Sequence, residues 1–360
     1  MYVESLALKD FRNYEVLDIS LSPQTNIFMG DNAQGKTNIL ESLYMCATSK
    51  SFRGSRDLEM IRFGCEEAHL RGILYREQTE HRIDIHLRSR KTKGIAVDGR
   101  PIKSSGELFG MLHMVCFSPE DLSMIKNGPS ERRHFIDMEL CQLSRIYLHN
   151  LSSYNRIVNQ RNILLKQIFF DRSLEDTLDV WDMQLASYGG KIIEERKQFT
   201  DLLNRLVSPV HSKLTGGKEK LSLIYVPCCQ PDELEKMISG QREADLKRKT
   251  TGAGPHHDDL VFQIDGMDIR KFGSQGQQRT AVLSLKLAEI ELVKQRINDT
   301  PVLLLDDVLS ELDSLRQRYL LESIKNIQTV ITCTGTDEFS RENVSAAKVY
   351  RVVNGKTELI

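Results

Sequence analysis

The sequence predicts an α/β fold built on a parallel sheet, with an antiparallel β lobe beside its first strand and a helical insertion interrupting the core. Three observations carry this. A glycine-rich loop at 30–37 lies between a short apolar strand and an amphipathic helix, strand and helix patterns alternate again after residue 277, and from Pro129 to about Leu206 there is no internal proline while apolar residues recur at helical spacing.

The elements follow in chain order. Val3–Leu8 and Tyr14–Leu21 read as strands around a polar turn, and Asn26–Met29 is a short apolar run ended by Gly30. Ile39, Leu40, Leu43 and Tyr44 then repeat at helical spacing over 37–47. Between Ala68 and Val97 apolar and polar residues alternate, and Asp98-Gly99 is a hairpin signal. Leu112–Phe117 is a further apolar run before Ser118-Pro119. Helices of ~25 residues, about 40 Å long, would make the insertion a compact subdomain and not a long coiled-coil arm. The core resumes with strands at 221–226 and 260–264, a helix over 277–295, a strand at 302–305, a helix over 314–324 and a strand at 329–332. The expected domains are 1–118 (first core lobe), 119–220 (helical insertion) and 221–360 (second core lobe).

Composition narrows the class. Apolar residues make up 40% and charged residues 28% of 360, the balance of a globular protein. No run approaches the roughly 18 apolar residues of a membrane span, and the N-terminus lacks a signal-peptide pattern, so a cytoplasmic protein with no membrane partner is expected. Seven cysteines without a C-x-x-C pair fit a reducing compartment and give no reason to expect structural zinc. At a net charge of −1, any affinity for nucleic acid must come from a local basic surface.

Gly30-Asp31-Asn32-Ala33-Gln34-Gly35-Lys36-Thr37 matches G-x-x-x-x-G-K-[ST] residue for residue and stands between strand and helix as that motif requires. Its glycines let backbone N–H groups curl around the phosphates of ATP. Lys36 would reach the outer phosphates and the Thr37 hydroxyl would coordinate Mg2+. The apolar strand Val302–Leu305 ends in Asp306-Asp307, placing Asp306 to hold Mg2+ and Asp307 to polarise water as the catalytic base. About 270 residues separate Lys36 from Asp306, which is why the core must be interrupted.

Ser274-Gln275-Gly276-Gln277-Gln278-Arg279 precedes an apolar-periodic helix and resembles the signature motif of ABC-type ATPases, which serves the nucleotide of a neighbouring subunit. Read physically, it is a helix start able to receive a γ-phosphate, or a plain N-cap. Ser310-Glu311-Leu312-Asp313 resembles the D-loop of the same group. Thr334 stands where transporters carry a switch histidine, and Asp307 where they carry a glutamate; the shorter side chain leads us to expect slow hydrolysis.

These motifs, with Leu8–Tyr14, Phe117–Leu122, Gly128–Arg133, Asp137 and Gly254-Pro255-His256-His257-Asp258-Asp259, are similar to the RecF family within the wider group of SMC and Rad50 ATPases. The resemblance implies a Rad50-like ABC-ATPase head, weak DNA-stimulated ATPase activity acting mainly as a switch, and ATP-dependent homodimerisation on DNA. It also implies action with RecR and RecO at single-strand gaps and junctions where RecA is loaded in repair, recombination and replication. Arg12 and Asn13 would lie near the nucleotide base and sugar, and Glu120 or Asp121 would take the place of the Q-loop glutamine.

For DNA, Arg88, Arg90, Lys91 and Lys93 crowd a hairpin, and Arg132, Arg133, Arg145, Arg156, Arg161 and Lys166 stud the insertion, each a candidate phosphate contact or a solvated charge. The His256–Asp259 run reads as a structural or nucleotide-sensing loop and not a metal site, since adjacent side chains seldom converge on one ion. Trp181 reads as core. An ATPase subunit coupled to another machine, such as a transporter, is the main alternative, and a monomeric P-loop kinase a weaker one; Thr334 and the interrupted core speak against the first.

Overall fold

The computed structural model describes residues 1–335 and 348–360, with every side chain there except that of Glu311. Its strands are β1 (Tyr2–Phe11), β2 (Tyr14–Ser20), β3 (Thr25–Met29), β4 (Glu67–Arg76), β5 (Thr79–Arg88), β6 (Gly94–Val97), β7 (Arg100–Pro101), β8 (Met114–Phe117), β9 (Leu221–Val226), β10 (Asp259–Ile264), β11 (Met267–Asp268), β12 (Val302–Asp306), β13 (Thr329–Cys333), β14 (Lys348–Val353) and β15 (Lys356–Leu359). The helices are α1 (Lys36–Thr48), α2 (Ser123–Lys126), α3 (Pro129–Leu143), α4 (Arg145–Ile168), α5 (Leu178–Thr215), α6 (Leu234–Gly240), α7 (Arg242–Arg248), α8 (Ile269–Phe272), α9 (Gln275–Ile297) and α10 (Ser314–Ser323). The chain forms two units, the first from Met1–Asp121 with Leu285–Ile360, the second from Leu122–Ser284.

The first unit holds two sheets. One runs β15-β14-β3-β13-β12-β8 and is parallel except for the edge pair β14/β15. Every residue of β12 is buried, as expected of a strand covered on both faces, and this is why Val302–Leu305 is an unbroken apolar run. Since β13 alone lies between β3 and β12, the loop after Met29 and the carboxylates after Leu305 emerge at neighbouring carboxyl ends, where open α/β sheets bind ligands. The other sheet is antiparallel, β2-β1-β4-β5-β6-β7, and buries alternate residues of β4 and β5. Asp98 and Gly99 turn between β6 and β7 with φ of 51° and 75°, the left-handed pair a tight hairpin demands.

In the second unit α4 and α5 pack together, and β9 pairs antiparallel with β10 from Leu221–Ile264 to Val226–Asp259. That pairing, with the packing of β9 on α5, displaces the boundary expected at 220. Residues 221–284, signature segment included, belong with the helices, and the boundary expected at 118 falls after Asp121. Helix α5 also exceeds the ~25-residue expectation: its 38 residues extend about 57 Å, because Pro209 does not end it and the helix stops only at Gly216, φ 63°. Trp181 packs half-buried against Leu164, Leu165, Ile168 and Leu178, as core.

Candidate active site

The glycine loop is fastened from several sides. Its entry is joined to β13 by Gly30 N–H donating to Cys333 O at 3.3 Å. Asn13 Nδ2 donates to Gln34 O at 2.8 Å, Asn38 Nδ2 donates to Asn13 Oδ1 at 2.8 Å, and the Tyr14 hydroxyl donates to Gly35 O at 3.1 Å. Gly35 takes φ 114°, and a Cβ there would stand 2.5 Å from Asn13 Nδ2, so only glycine fits. Gln34 is held again by the β14–β15 turn, where Asn354 N–H donates to its Oε1 at 2.6 Å and Gly355 N–H to its carbonyl at 3.1 Å. Asp31, Asn32 and Ala33 remain exposed, Ala33 at φ 64°.

Helix α1 starts at Lys36 with no capping side chain and no acidic residue in its first turn, so the positive end of its dipole is offered to an anion. The buried Lys36 ammonium donates to Gly30 O at 2.6 Å and Asp31 O at 3.1 Å, spanning the concavity that the loop encloses.

Opposite stand the carboxylates. Asp306 Oδ1 accepts from the Thr37 hydroxyl at 2.8 Å and from the Thr332 hydroxyl at 2.8 Å. Burial pushes the Asp306 carboxyl up, the nearby charges of Asp307 and Glu120 act in the same direction, and the two hydroxyl bonds oppose them. Asp307, half-buried at φ 51°, donates its N–H to Thr332 Oγ1 at 2.9 Å, while Ser310 Oγ donates to Asp307 O at 2.8 Å. Thr332 thus holds the Asp306 carboxylate and the Asp307 backbone. It escaped the sequence reading because a threonine at a strand end carries no motif; its only signal is its place on the strand between loop and carboxylates.

Of the two candidates for the Q-loop position, Asp121 is turned inward. Its Oδ2 accepts from Ser118 N–H at 2.7 Å and its carboxylate lies 3.8 Å from Lys286 Nζ, whereas the Glu120 side chain is 51% exposed and acts on Asp306. Arg12 is spent on its own unit: Nη2 and Nε donate to the Glu41 carboxylate at 2.7 and 2.8 Å, Nη2 also to Ser55 Oγ at 2.6 Å, and Nη1 to Glu59 O at 2.8 Å. Asn13 is the member of that pair that touches the loop. In the D-loop segment Ser310 and Asp313 are exposed, Leu312 is half-buried, Asp313 Oδ1 caps α10 through Arg316 N–H at 2.9 Å, and the Glu311 side chain lies outside the described residues. Thr334 follows β13, exposed.

In the second unit the signature segment opens α9 as a reciprocal cap. Ser274 Oγ accepts from Gln277 N–H at 3.2 Å and Gln277 Oε1 accepts from Ser274 N–H at 2.9 Å. Ser274, Gln275, Gly276 and Arg279 are exposed, Gln277 is half-buried, and Gln278 is buried with Nε2 donating to Ile269 O at 2.9 Å. The cap and an exposed helix start for an anion therefore coexist.

Two expected DNA contacts are corrected. Arg132 is buried and forked onto Asp259 at 2.6 and 3.0 Å, and Arg161 is fully buried between Asp182 and Asp245, each at 2.7 Å. A guanidinium so enclosed cannot reach a phosphate without leaving a buried carboxylate unpaired. Arg133 is half-buried and donates to Asp258 O at 2.8 Å, and Arg88 is half-buried on β5, whereas Arg90, Lys91, Arg145, Arg156 and Lys166 are exposed. The His256–Asp259 run disperses its side chains. Asp258 binds Arg196 at 2.9 Å, Asp259 binds Arg132, and His256 Nδ1 meets the Tyr154 hydroxyl at 2.6 Å while its Nε2 meets Thr251 O at 3.1 Å. All of these partners lie within the second unit.

Comparison with known proteins gives one consistent result. Residues 2–358 match the family model of the RecF/RecN/SMC N-terminal domain. The chain is 58% identical over 357 residues to the DNA replication and repair protein RecF of Lachnospira eligens, covering 99% of this chain and 98% of that one. It is 57% identical over 358 residues to the protein of the same name from Lachnoclostridium phytofermentans, covering 99% of both. Among solved structures it is similar to the recombination mediator protein RecF–ATP of the RecFOR pathway, at 34% identity and a TM-score of 0.93, covering 100% of this chain and 97% of that one.

Proposed function

The chain belongs to the RecF/RecN/SMC N-terminal domain family, among its RecF proteins, and from that premise we propose that it is a recombination mediator working as an ATP-controlled clamp on DNA. The fold is the ABC-type ATPase head of that family, and the chemistry is that of an ATPase. The observation that carries the reading is the hydrogen bond between Thr37 and Asp306, which brings the phosphate loop and the acidic strand end to one point.

Two hydroxyl and carboxylate oxygens 2.8 Å apart fit a hard cation: adjacent ligands of an octahedral Mg2+ with bonds of about 2.1 Å stand ~3 Å apart. Thr37 and Asp306 would hold the ion, which when bound supplies charge neutralisation on the outer phosphates. Lys36 exchanges the carbonyls of Gly30 and Asp31 for those phosphates. Asp307, whose backbone N–H is held by Thr332, orients and polarises the attacking water from a carboxylate one methylene shorter than glutamate, and turnover is slow.

In this proposal the exposed helix start at Ser274 and Gly276 closes over ATP bound by a second copy, so ATP drives homodimerisation. DNA contacts exposed cations of each unit, Arg90 and Lys91 of the first and Arg145, Arg156 and Lys166 of the second, with RecR and RecO as partners at gaps and junctions. DNA stimulates hydrolysis, and hydrolysis releases the clamp. The test is DNA retention by two variants after ATP is added. Asp307→Asn should dimerise and stay on DNA, and Lys36→Arg should fail to engage; release of Asp307→Asn at the wild-type rate would refute a hydrolysis-controlled clamp.

A further inference from the structure

On the solvent face of the antiparallel sheet, outside the nucleotide site, His69 and His86 are direct cross-strand partners on β4 and β5. Glu67, two residues before His69, shares that face because side chains alternate along a strand. His86 Nε2 lies 2.8 Å from Glu67 Oε2, the two imidazoles stack with centroids 4.0 Å apart at 21°, and one ligand atom from each of the three residues lies within 4.8 Å of the others. Among the described residues no other group of three histidine, cysteine or acidic side chains is gathered this way.

We propose that Glu67, His69 and His86 form a binding site for a divalent transition-metal ion, Zn2+ first, with coordination positions left open to solvent. Two imidazoles and one carboxylate are the donor set that borderline ions of this class take, and three protein ligands leave room for water or an exogenous group. At Zn–N and Zn–O bonds of about 2.0–2.2 Å the ligand atoms must stand roughly 3.3 Å apart. The His86–Glu67 pair, at 2.8 Å, has to open by about 0.5 Å, and His69, exposed, has to swing inward. Metal binding needs neutral imidazoles. Partial burial and the neighbouring His86 push His69 down, which favours that form. The ion would take the His86 Nε2 position that faces Glu67, with the neutral ring carrying its one proton on Nδ1.

The surroundings leave the open positions accessible. Gly94 is the cross-strand partner of His86, and with Ala7 and Ala96 it lines a hollow of about 650 Å³ that also contains both histidines. A surface ion pair of Glu67 with His86 alone would contribute little and would need no second histidine. The cysteine spacing gave no reason to look for zinc here, because a pair made by strand register leaves no fixed spacing in the sequence.

The test uses the full chain, freed of metal by chelator and without nucleotide or DNA, so its outcome is independent of the clamp. Zn2+ is titrated in competition with a chromophoric chelator, and Co2+ is added separately for its visible spectrum. One Zn2+ should bind per chain, with affinity reduced roughly 10-fold or more in His69→Ala and in His86→Ala. It should be unchanged in the Cys228→Ser/Cys229→Ser double variant, which removes the adjacent thiols 3.8 Å apart. Co2+ should give d–d bands without a thiolate charge-transfer band. Failure of wild type to bind Zn2+, wild-type affinity in both histidine variants, or a thiolate band would each overturn the proposal; the wild-type Co2+ spectrum decides if a variant fails to fold.

Discussion

The Thr37 hydroxyl donates to Asp306 Oδ1 at 2.8 Å across 269 residues of chain. Phosphate loop and acidic strand end are thus one site although an entire second unit is inserted between them.

Breaking that pair should remove turnover more than binding. For Asp306→Asn or Thr37→Ala we expect ATP hydrolysis to fall roughly 100-fold, while nucleotide binding, carried by the loop and Lys36, persists. Chelating Mg2+ should reproduce this in the wild type and add little in Asp306→Asn. Steady-state hydrolysis beside fluorescent-nucleotide titration checks it.

The loop itself is sterically saturated at Gly35, where a Cβ would lie 2.5 Å from Asn13 Nδ2 in a left-handed backbone. Gly35→Ala should therefore cost nucleotide affinity by at least about 10-fold, through displacement of Asn13 and the loop. Equilibrium titration of ATP measures this.

Arginines of the second unit should divide by burial. Arg161→Ala leaves Asp245 buried without its cation and Asp182 with Arg242 alone, and should lower stability by about 3–5 kcal/mol in denaturant unfolding. Arg156→Ala, exposed, should change stability by less than about 0.5 kcal/mol and instead flatten the salt dependence of DNA binding by about one unit of slope.

Stability should also fall on mild acidification. Burial holds His256 down at about 4, against 6.5 for the free side chain, and the neutral Nε2–H tautomer donates to Thr251 O while accepting from Tyr154. Arg133 and Arg196 add to the resistance to protonation. The unfolded chain binds the proton first, so the stabilisation is intact above pH 6.5 and is lost progressively as pH falls through about 4. Denaturant unfolding from pH 7 to 4.5 should show a loss in the wild type roughly 2 kcal/mol larger than in His256→Asn.

What the sequence disclosed was whatever has a local cause. The strand, loop and helix around Gly30–Thr37, the apolar strand ending at Asp306 and the Asp98-Gly99 turn are dictated by periodicity, glycine and turn chemistry. What it concealed depends on distant partners. Arg132 and Arg161 look like surface cations until Asp259, Asp182 and Asp245 close around them, and Thr332 gains meaning only from the strand order. The unit boundary moved from 220 to 284 because β9 pairs with β10, Val226 with Asp259 and Leu221 with Ile264, a long-range pairing that no local window samples.

In the proposed clamp the site is shared, with loop and carboxylates from one copy and the Ser274 helix start from another. Light scattering with and without saturating ATP and Mg2+ tests it most directly, on the wild type and on Ser274→Arg, whose exposed position makes it a surface change. The wild-type mass should double with ATP, while Ser274→Arg should bind ATP and stay single. A wild type that remains monomeric with ATP, in the presence and absence of DNA, would contradict it.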